Sequence, residues 1–405
     1  MGVRRLFDRL GWAIAGALAL ALIAVVAGVV RAGPLDPPNP PGPTSGVLRP
    51  GTPIDHIPYT ISAPGNYYVT QNLTMPGNAS GQNGIMVNSS NVTLDLGGFY
   101  LDGAGIGANG VITEDGVQHD GITIRNGTAQ HWTQRGFWAQ YVSSAHIEDV
   151  QSTYNHDGVV IDSGTLDRCT VSHNTAVGVD AAFATISDCQ AHVNQTGFQL
   201  YSSTLTNGVA ESNSGDGIFA NTSSSVRGCT ALQNGNSGVN AYFSTVQGCS
   251  VYANEFGILV QDSNIQDNTV ASSTSDGIRV VGFGVGYAGD SFIAGNTVDY
   301  PGSGVSASGI YVETDNNRIV RNTISGSSGP GIDVVGSFNT IDDNSTLTNQ
   351  GIGIVVAGTK NTVVRNSSLG NVNQSNSTNY SIGTGNNPGP VNAANASTDP
   401  WSNTQ

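Results

Sequence analysis

The sequence predicts an all-β solenoid, in which similar coils of short strands stack on one another. Two recurring phrases and the composition support this prediction. In the first phrase, a Gly is followed by an apolar residue, any residue and a second apolar residue. This phrase recurs at steps of 19 to 22 residues, apart from one step of 32 residues. In the second phrase, an aliphatic residue is followed by Cys or Asn at the third position and often by Asn at the eighth.

The composition agrees with strands rather than helices. Charged residues are only 11% of the chain, and Gly accounts for 54 of its 405 residues. Gly and β-branched residues are poor helix formers. The regular return of Val, Ile and Leu also argues against a disordered chain, which lacks such residues.

The Gly phrase predicts one strand of every coil and sorts its side chains. It begins at Gly158, Gly178, Gly197, Gly217, Gly238, Gly257, Gly277, Gly309, Gly331 and Gly353. Because strand side chains alternate between two faces, the first and third residues after Gly point inward and the second points outward. The inward residues are apolar, whereas the outward residues are mixed: Val160, Asp180, Gln199, Phe219, Asn240 and Leu259.

The second phrase predicts two columns of like residues. The third-position column reads Val150, Cys169, Cys189, Gly208, Cys229, Cys249, Asn268, Asn296, Asn322, Asn344 and Asn366, and the eighth-position column reads Asn155, Asn174, Asn194, Asn213, Asn234 and Asn254. Stacked Asn side chains can pass amide hydrogen bonds from coil to coil. We expect the four Cys to pack as small apolar residues. Two disulfides (Cys169–Cys189 and Cys229–Cys249) are the alternative, and a metal site lacks both CxxC spacing and His.

A third column carries alternating charge. Asp149, Arg168 and Asp188 occupy three consecutive coils, and Arg321, Asp343 and Arg365 occupy three later ones. Opposite charges on neighbouring coils favour one register. We therefore predict a structural role for these residues, with arginine catalysis as the alternative.

The N-terminal segment indicates export. Residues 1–32 join a basic start to a long uncharged apolar run, which is typical of a signal peptide, or of a membrane anchor if it is not cleaved. Residues 33–56 form a Pro-rich linker. Removing residues 1–32, which hold four Arg and one Asp, leaves 10 basic and 28 acidic residues, a net charge of −18. This charge excludes nucleic acid as a partner, and membrane contact is expected only through the N-terminal segment.

The stretches "GIYVETDNNRIVRNTISGSSG" and "GIVVAGTKNTVVRNSSLG" resemble the repeats of right-handed parallel β-helix proteins of the pectate-lyase-like superfamily. Residues 57–103 and 379–403 are similar to the ends of uncharacterised exported bacterial β-helix proteins. The resemblance implies a right-handed parallel β-helix of about 13 coils over 57–378, with an N-terminal cap and a cap or tail at 379–405. Two stretches, 104–120 and 277–308, break the period and are expected as loops that wall a groove or simply lie on the surface.

Two candidate sites follow. "YNHDG" faintly resembles the Tyr/His/Asp signature of alginate epimerases and lyases, although the Pro of the usual Asp-Pro-His element is missing. This resemblance makes Tyr154, His156 and Asp157 the candidate catalytic residues. The second site is the outward face of the Gly-phrase strands, where aromatic rings lie beside amides and carboxylates and would suit a neutral glycan. Its residues are Asp180, Gln199, Tyr201, Phe219, Asn240 and Tyr242.

We therefore expect an exported, secreted or cell-surface module that binds a glycan or is structural. The alternative is a polysaccharide lyase, C5-epimerase or hydrolase, for which no complete catalytic constellation is legible. No metal site or cofactor is predicted; calcium stays open but no motif indicates it.

Overall fold

In the computed structural model, three parallel β-sheets, here called sheets A, B and C, form the walls of a β-helix of about 14 turns. The structure describes residues 50–113, 116–282, 289–302, 307–372, 379–392 and 400–405. Each coil contributes one strand to each sheet, and every strand pairs with its equivalents in the coils before and after it. The all-β fold predicted from the two phrases is confirmed, with slightly more turns than expected.

Sheet A contains the strands of the Gly phrase. Two of its strands are long and bend at a corner into sheet B, namely Asp157–Asp167 and Val177–Ser187. The others are Tyr59–Ile61, Ile85–Val87, Val111–Thr113, Arg135–Ala139, Thr196–Tyr201, Ile218–Asn221, Ser237–Tyr242, Phe256–Gln261, Ile278–Val280, Ile310–Val312, Ile332–Val334, Ile354–Val356 and Tyr380–Ile382.

Sheet B follows sheet A in each coil. Two of its strands bend into sheet C, namely Ile122–Gln130 and Ala145–Thr153. The others are Thr52–Ile54, Gly65–Val69, Val92–Asp95, Thr204–Thr206, Ser225–Arg227, Thr245–Gln247, Asn264–Gln266, Phe292–Ala294, Arg318–Val320, Thr340–Asp342, Thr362–Val364 and Asn387–Pro388.

Sheet C completes each coil with its shortest strands. They are Leu73–Thr74, Tyr100–Asp102, Thr170–Ser172, Gln190–His192, Val209–Glu211, Thr230–Leu232, Ser250–Tyr252, Thr269–Ala271, Thr297–Asp299, Thr323–Ser325, Ser345–Leu347, Ser367–Leu369, Val391–Asn392 and Asn403–Thr404. Side chains from all three sheets fill one continuous apolar core, and the inward residues of the Gly phrase, such as Val159 and Phe198, are fully buried in it.

The predicted Asn column forms a hydrogen-bonded ladder at the corner between sheets C and A. The main-chain N–H of each Asn donates to the side-chain Oδ1 of the Asn one coil later, for example from Asn174 to Asn194 at 3.0 Å. The side-chain Nδ2 of Asn174 donates to the same oxygen, also at 3.0 Å. Such buried main-chain groups would otherwise lack partners, so the ladder prediction is confirmed.

The Asn ladder explains why the first phrase begins with Gly. A Cβ atom added to Gly197 would lie 2.4 Å from the carbonyl oxygen of Gly217 and 2.8 Å from Nδ2 of Asn213. Both distances are far below van der Waals contact. The two phrases are therefore two sides of one packing arrangement, in which the Asn amide approaches the bare main chain of the neighbouring strand.

The four Cys are free and buried, as the packing interpretation predicted. They belong to the ladder at the corner between sheets B and C, where Sγ of Cys189 accepts the N–H of Cys169 at 3.4 Å. From Cys249 onward Asn continues this ladder, because Cys249 N–H donates to Oδ1 of Asn268 at 2.9 Å. The hydrogen bond with the neighbouring Cys, followed by burial, raises the pKa of Cys189 and of Cys229, which keeps both thiols protonated.

A third ladder, at the corner between sheets A and B, was not predicted. It starts with Ser and changes to Asn: Ser263 N–H donates to Ser291 Oγ at 3.3 Å, and Ser291 N–H donates to Asn317 Oδ1 at 3.0 Å. Asn339, Asn361 and Asn386 extend it. The mixture of Ser and Asn hides this column from a search for repeated letters.

The ends and the irregular stretches differ from the sequence expectations. The strand Thr52–Ile54 pairs in sheet B although 33–56 was expected to be a linker. The stretch 104–120, expected as a loop, supplies the sheet A strand Val111–Thr113. At the C-terminus, Asn386 and Asn403 continue two ladders, so the tail adds strands to the coil rather than only covering it. The predicted signal or anchor 1–32 and linker residues 33–49 lie outside the described residues, as do 283–288 and 303–306 of the second irregular stretch. Among the described residues, no helix is long and apolar enough to span a membrane.

We predict that Asn213→Ala destabilises the fold by about 2–4 kcal/mol, because it leaves buried main-chain and side-chain groups without partners. Asn213 Oδ1 accepts the N–H of Asn194 at 2.9 Å, and its Nδ2 donates to the carbonyl of Ala191 at 3.1 Å. Urea unfolding followed by circular dichroism measures the change. The matched control is Asn264→Ala on the outer side of sheet B, for which we expect a change within about 0.5 kcal/mol. Equal losses in the two variants would show that the ladder is not what stabilises the stack.

Candidate functional site

The catalytic candidates do not form one cluster. Tyr154 lies at the corner between sheets C and A in the left-handed backbone region (φ 56°) and is exposed. Its ring stacks between those of His131 and His173, at centroid distances of 5.5 and 4.9 Å. His192 contacts His173 edge-on at 6.0 Å. Tyr154 is thus part of a ring column along the corner.

His156 and Asp157 do lie together, in a shallow groove of about 460 Å³ whose other lining residues are Thr133, Gln134 and Arg135. His156 Nδ1 is 3.3 Å from Asp157 Oδ1. The other carboxylate oxygen of Asp157 is 3.7 Å from Arg135 Nε, and the Arg135 guanidinium packs over the ring of Trp138 at 4.1 Å. The groove opens onto the outer face of sheet A, because Arg135 and Asp157 are paired residues of that sheet.

The structure places all six substrate-binding candidates on the outer side of sheet A. Asp180, Gln199, Phe219 and Asn240 are register partners on four consecutive coils. Tyr201 and Tyr242 lie two residues further along their strands. The ring of Phe219 bridges those of Tyr201 and Tyr242, at centroid distances of 6.2 and 5.6 Å. We call the surface from Asp180 to Tyr242 the sheet A face.

The sheet A face is more buried than a solvated outer column would be. Val160 and Asn240 are only 5% and 7% exposed. The reason at Asn240 is a polar cluster around Asp216, whose Oδ2 accepts Asn240 Nδ2 at 2.9 Å and whose Oδ1 accepts the N–H of Ser237 at 3.0 Å. Asn240 Oδ1 is buried, and the Asn240 side chain also hydrogen-bonds that of Tyr242.

Burial also changes the acidity of the sheet A face. Desolvation, followed by the nearby carboxylates of Asp157 and Asp162, raises the pKa of Asp180. Desolvation and the Asp180 carboxylate raise the pKa of Tyr201. The face therefore has a carboxyl group that gains and loses its proton closer to neutral pH than an ordinary Asp.

Sequence reasoning missed Arg135, Trp138 and Asp216. The first two belong to "RGFWA", an earlier copy of the Gly phrase with Gly136 as its Gly, and they would have been found by extending the phrase one coil toward the N-terminus. Asp216 directly precedes Gly217, so it occupies the position equivalent to Asp157 on a later coil. In the described residues, no group of three or more His, Cys, Asp or Glu side chains is arranged to hold a metal ion.

Two family models match the chain. "Right handed beta helix region" matches residues 71–227, and "Periplasmic copper-binding protein (NosD)" matches residues 240–390. A comparison with curated proteins found no match. With its three parallel sheets, the chain has the fold of a right-handed parallel β-helix.

Solved structures share this fold at low sequence identity. The A-module of mannuronan C-5 epimerase AlgE6 from Azotobacter vinelandii is 17% identical, with a TM-score of 0.50, covering 75% of this chain and 90% of that one. The AlgE4 A-module of the same organism is 17% identical, with a TM-score of 0.46 and coverage of 68% and 90%. A tailspike protein of E. coli bacteriophage HK620 in complex with a pentasaccharide is 11% identical, with a TM-score of 0.40 and coverage of 84% and 71%.

We predict that Asp180→Asn stabilises the protein at neutral pH and that this gain disappears in acid. Because the folded-state pKa of Asp180 is raised, its stability contribution is most favourable when the carboxyl is protonated, and it falls as pH rises above the unfolded value of about 3.9. Melting temperatures of both proteins at pH 7 and about pH 3 measure the effect. The same difference at both pH values would contradict it.

Proposed function

We propose that this protein is a glycan-binding module and that the sheet A face holds the glycan. The observation that carries the proposal is the ring series Tyr201, Phe219 and Tyr242 on consecutive coils, with centroids 6.2 and 5.6 Å apart. Flat aromatic faces suit the apolar faces of sugar rings, and a few polar groups beside them fix the orientation of a ligand.

The polar groups beside the rings suit neutral sugars. Hydroxyl groups both donate and accept hydrogen bonds, and the amide of Asn240, which lies beside Tyr242, offers a polar contact for a hydroxyl group. The side chains of Asp180 and Gln199, which hydrogen-bond each other, lie two coils and one coil earlier than Phe219 in the same outward column. The acidic net charge of the chain disfavours an anionic polymer on this face.

An exported location is part of the proposal. It is supported by the apolar N-terminal run of the sequence and by the word "periplasmic" in the description of the family model that matches residues 240–390. The partner is then a polysaccharide or cell-surface glycan.

The test is a Tyr201→Ala/Tyr242→Ala double variant. We expect at least tenfold weaker retention on neutral polysaccharides in affinity electrophoresis, because two stacking surfaces are lost. The cost in unfolding free energy should stay within about 1–2 kcal/mol, since neither ring reaches the core. The matched control is Tyr252→Ala/Tyr300→Ala, which removes two exposed rings from sheet C and its corner. If neither pair alters retention, or no polysaccharide is retained by the wild-type protein, the proposal is wrong.

A second candidate function is polysaccharide cleavage or epimerisation. The observation that favours it is the raised pKa of Asp180 beside Asp157 and Asp162, since a carboxyl group that titrates nearer neutral pH can act as a general acid. His156 and Asp157 would then contribute from the adjoining groove.

Three assays test this candidate across uronic and neutral polysaccharides, with and without calcium: release of reducing ends, ultraviolet absorbance of an unsaturated uronate, and exchange of the C5 proton. If the chain is an enzyme, we expect Asp180→Asn and His156→Ala each to lower turnover by about 10²-fold or more. Tyr154→Ala should leave turnover unchanged, because its ring lies in the corner column outside the groove. Absence of turnover in all three assays would remove this candidate.

A further inference from the structure

Three of the nine basic side chains in the described residues line one shallow groove on the outer side of sheet B. The groove has a volume of about 390 Å³ and is lined by Arg318, Arg321, Arg365, Asp342, Asp343, Phe292 and Val320. The concentration of positive charge is unusual in a chain whose acidic residues outnumber its basic ones by about two to one. Nothing in the sheet A face accounts for it.

The corner between sheets B and C explains the positions of Arg168 and of Arg365. One residue per coil adopts a positive φ there, and the column consists mostly of Asp, Asn and Gly, which tolerate this backbone conformation. Arg168 is an exception at φ 51°, and its guanidinium binds the preceding coil: Nε and Nη2 donate to Asp149 at 2.8 Å each, and Nη2 to Glu148 at 2.9 Å. An arginine in this column thus acts as a clamp on carboxylates of the previous coil.

Arg365 is a second clamp of the same kind. Its φ is 57°, its Nε donates to Asp342 of the preceding coil at 2.7 Å, and Nη2 binds the second oxygen of that carboxylate. The ring of Trp401 packs on the guanidinium at 5.1 Å. Register partners place Asp342 beside Val364, so the clamped carboxylate lies one residue before the corner on the preceding coil.

Arg321 occupies the same column, with φ 54°, but the carboxylates are missing. The strand register pairs Ala294 with Val320, so the two positions that hold Glu148 and Asp149 below Arg168 hold Ala294 and Gly295 below Arg321. Among the described residues Arg321 forms no salt bridge, either with Asp267 two coils earlier or with Asp343 one coil later. Asp267 Oδ1 lies 2.4 Å from where a Cβ of Gly295 would stand, without reaching salt-bridge distance of Arg321. The position beside Ala294, which corresponds to Glu148 and to Asp342 at the two clamps, holds no carboxylate.

Arg318 adds a second guanidinium group to the same groove. It lies three residues before Arg321 at the start of the sheet B strand, and its guanidinium packs on the ring of Phe292 at 5.4 Å. The part of the chain that the structure describes provides no carboxylate within salt-bridge distance of Arg318. Two guanidinium groups with free donors thus face the groove.

We propose that Arg321 and Arg318 bind a free oxyanion, a carboxylate or a sulfate group, in the position beside Ala294 that a protein carboxylate occupies at the other two clamps. A guanidinium binds such planar or tetrahedral groups through two parallel hydrogen bonds. This site lies on sheet B, apart from the sheet A face, and it does not depend on the proposed glycan function.

The first experiment titrates the full chain with sodium sulfate and, separately, with sodium glucuronate, at constant ionic strength set with chloride. Isothermal calorimetry gives the affinity and thermal unfolding gives the stabilisation. We expect at least one of the two probes to bind. Binding of sulfate indicates that the site takes a sulfate group, and binding of glucuronate indicates that it takes a carboxylate. Arg321→Gln should weaken binding about tenfold or more, as expected for the loss of a charged hydrogen-bond pair.

Two further variants separate a site from a general charge effect. Arg227→Gln makes the same change in net charge on the same sheet and should bind within about twofold of wild type. Ala294→Asp supplies the missing carboxylate from the chain and should abolish binding with Arg321 intact, whereas Ala294→Ser should retain it. Failure of both probes to bind, equal losses in Arg227→Gln and Arg321→Gln, or binding by a folded Ala294→Asp variant would each overturn the proposal.

Discussion

Buried hydrogen bonds between equivalent corner residues of successive coils hold this solenoid together. At each of the three corners, one residue adopts a left-handed backbone conformation, as Tyr154, Arg168 and Phe183 do at φ 56, 51 and 50°. The residue that follows turns inward, and its N–H can no longer join a sheet. The side chain of the equivalent residue one coil later accepts that N–H, as Asn194 does for Asn174 at 3.0 Å. Without this acceptor, every coil would bury an unpaired donor at a corner.

This constraint leaves the outward columns free to vary and so creates the candidate sites. Asp180, Gln199, Phe219 and Asn240 are about twenty residues apart in sequence, yet the ladder stacks them as neighbours. A shift of the register by one residue would turn each of these side chains into the core. The arrangement of side chains on the sheet A face therefore depends on amides and Ser hydroxyls buried at the corners.

Strand alternation and repetition predicted the Asn and Cys columns, the apolar core and the position of the sheet A face, because all of these depend only on spacing. They did not predict the corners. Tyr154, His156 and Asp157 are adjacent in sequence, yet the left-handed conformation at Tyr154 places its ring in a separate column with His131 and His173. The strand Val111–Thr113 escaped notice because its second inward position holds Thr rather than an apolar residue. The alternating charges predicted that Arg365 lies next to Asp343. Its guanidinium instead donates to Asp342, the residue before Asp343.

Stacking also decides what each carboxylate can do, since any acidic column places like charges on adjacent coils. Where an arginine reaches back across a corner, the charge is fixed: the hydrogen bonds from Arg168 lower the pKa of Asp149 and keep it ionised. On sheet A the pKa values of carboxyl groups shift in the opposite direction. Desolvation and neighbouring carboxylates raise the pKa of Asp180 and, nearer the C-terminal end of the helix, that of Asp333 beside Asp276. An ionised, clamped carboxylate stabilises register, whereas a desolvated carboxyl without a clamp is available for hydrogen bonding or proton transfer. Whether one of these carboxyl groups is held ionised or left desolvated thus follows from the presence or absence of a guanidinium on the next coil.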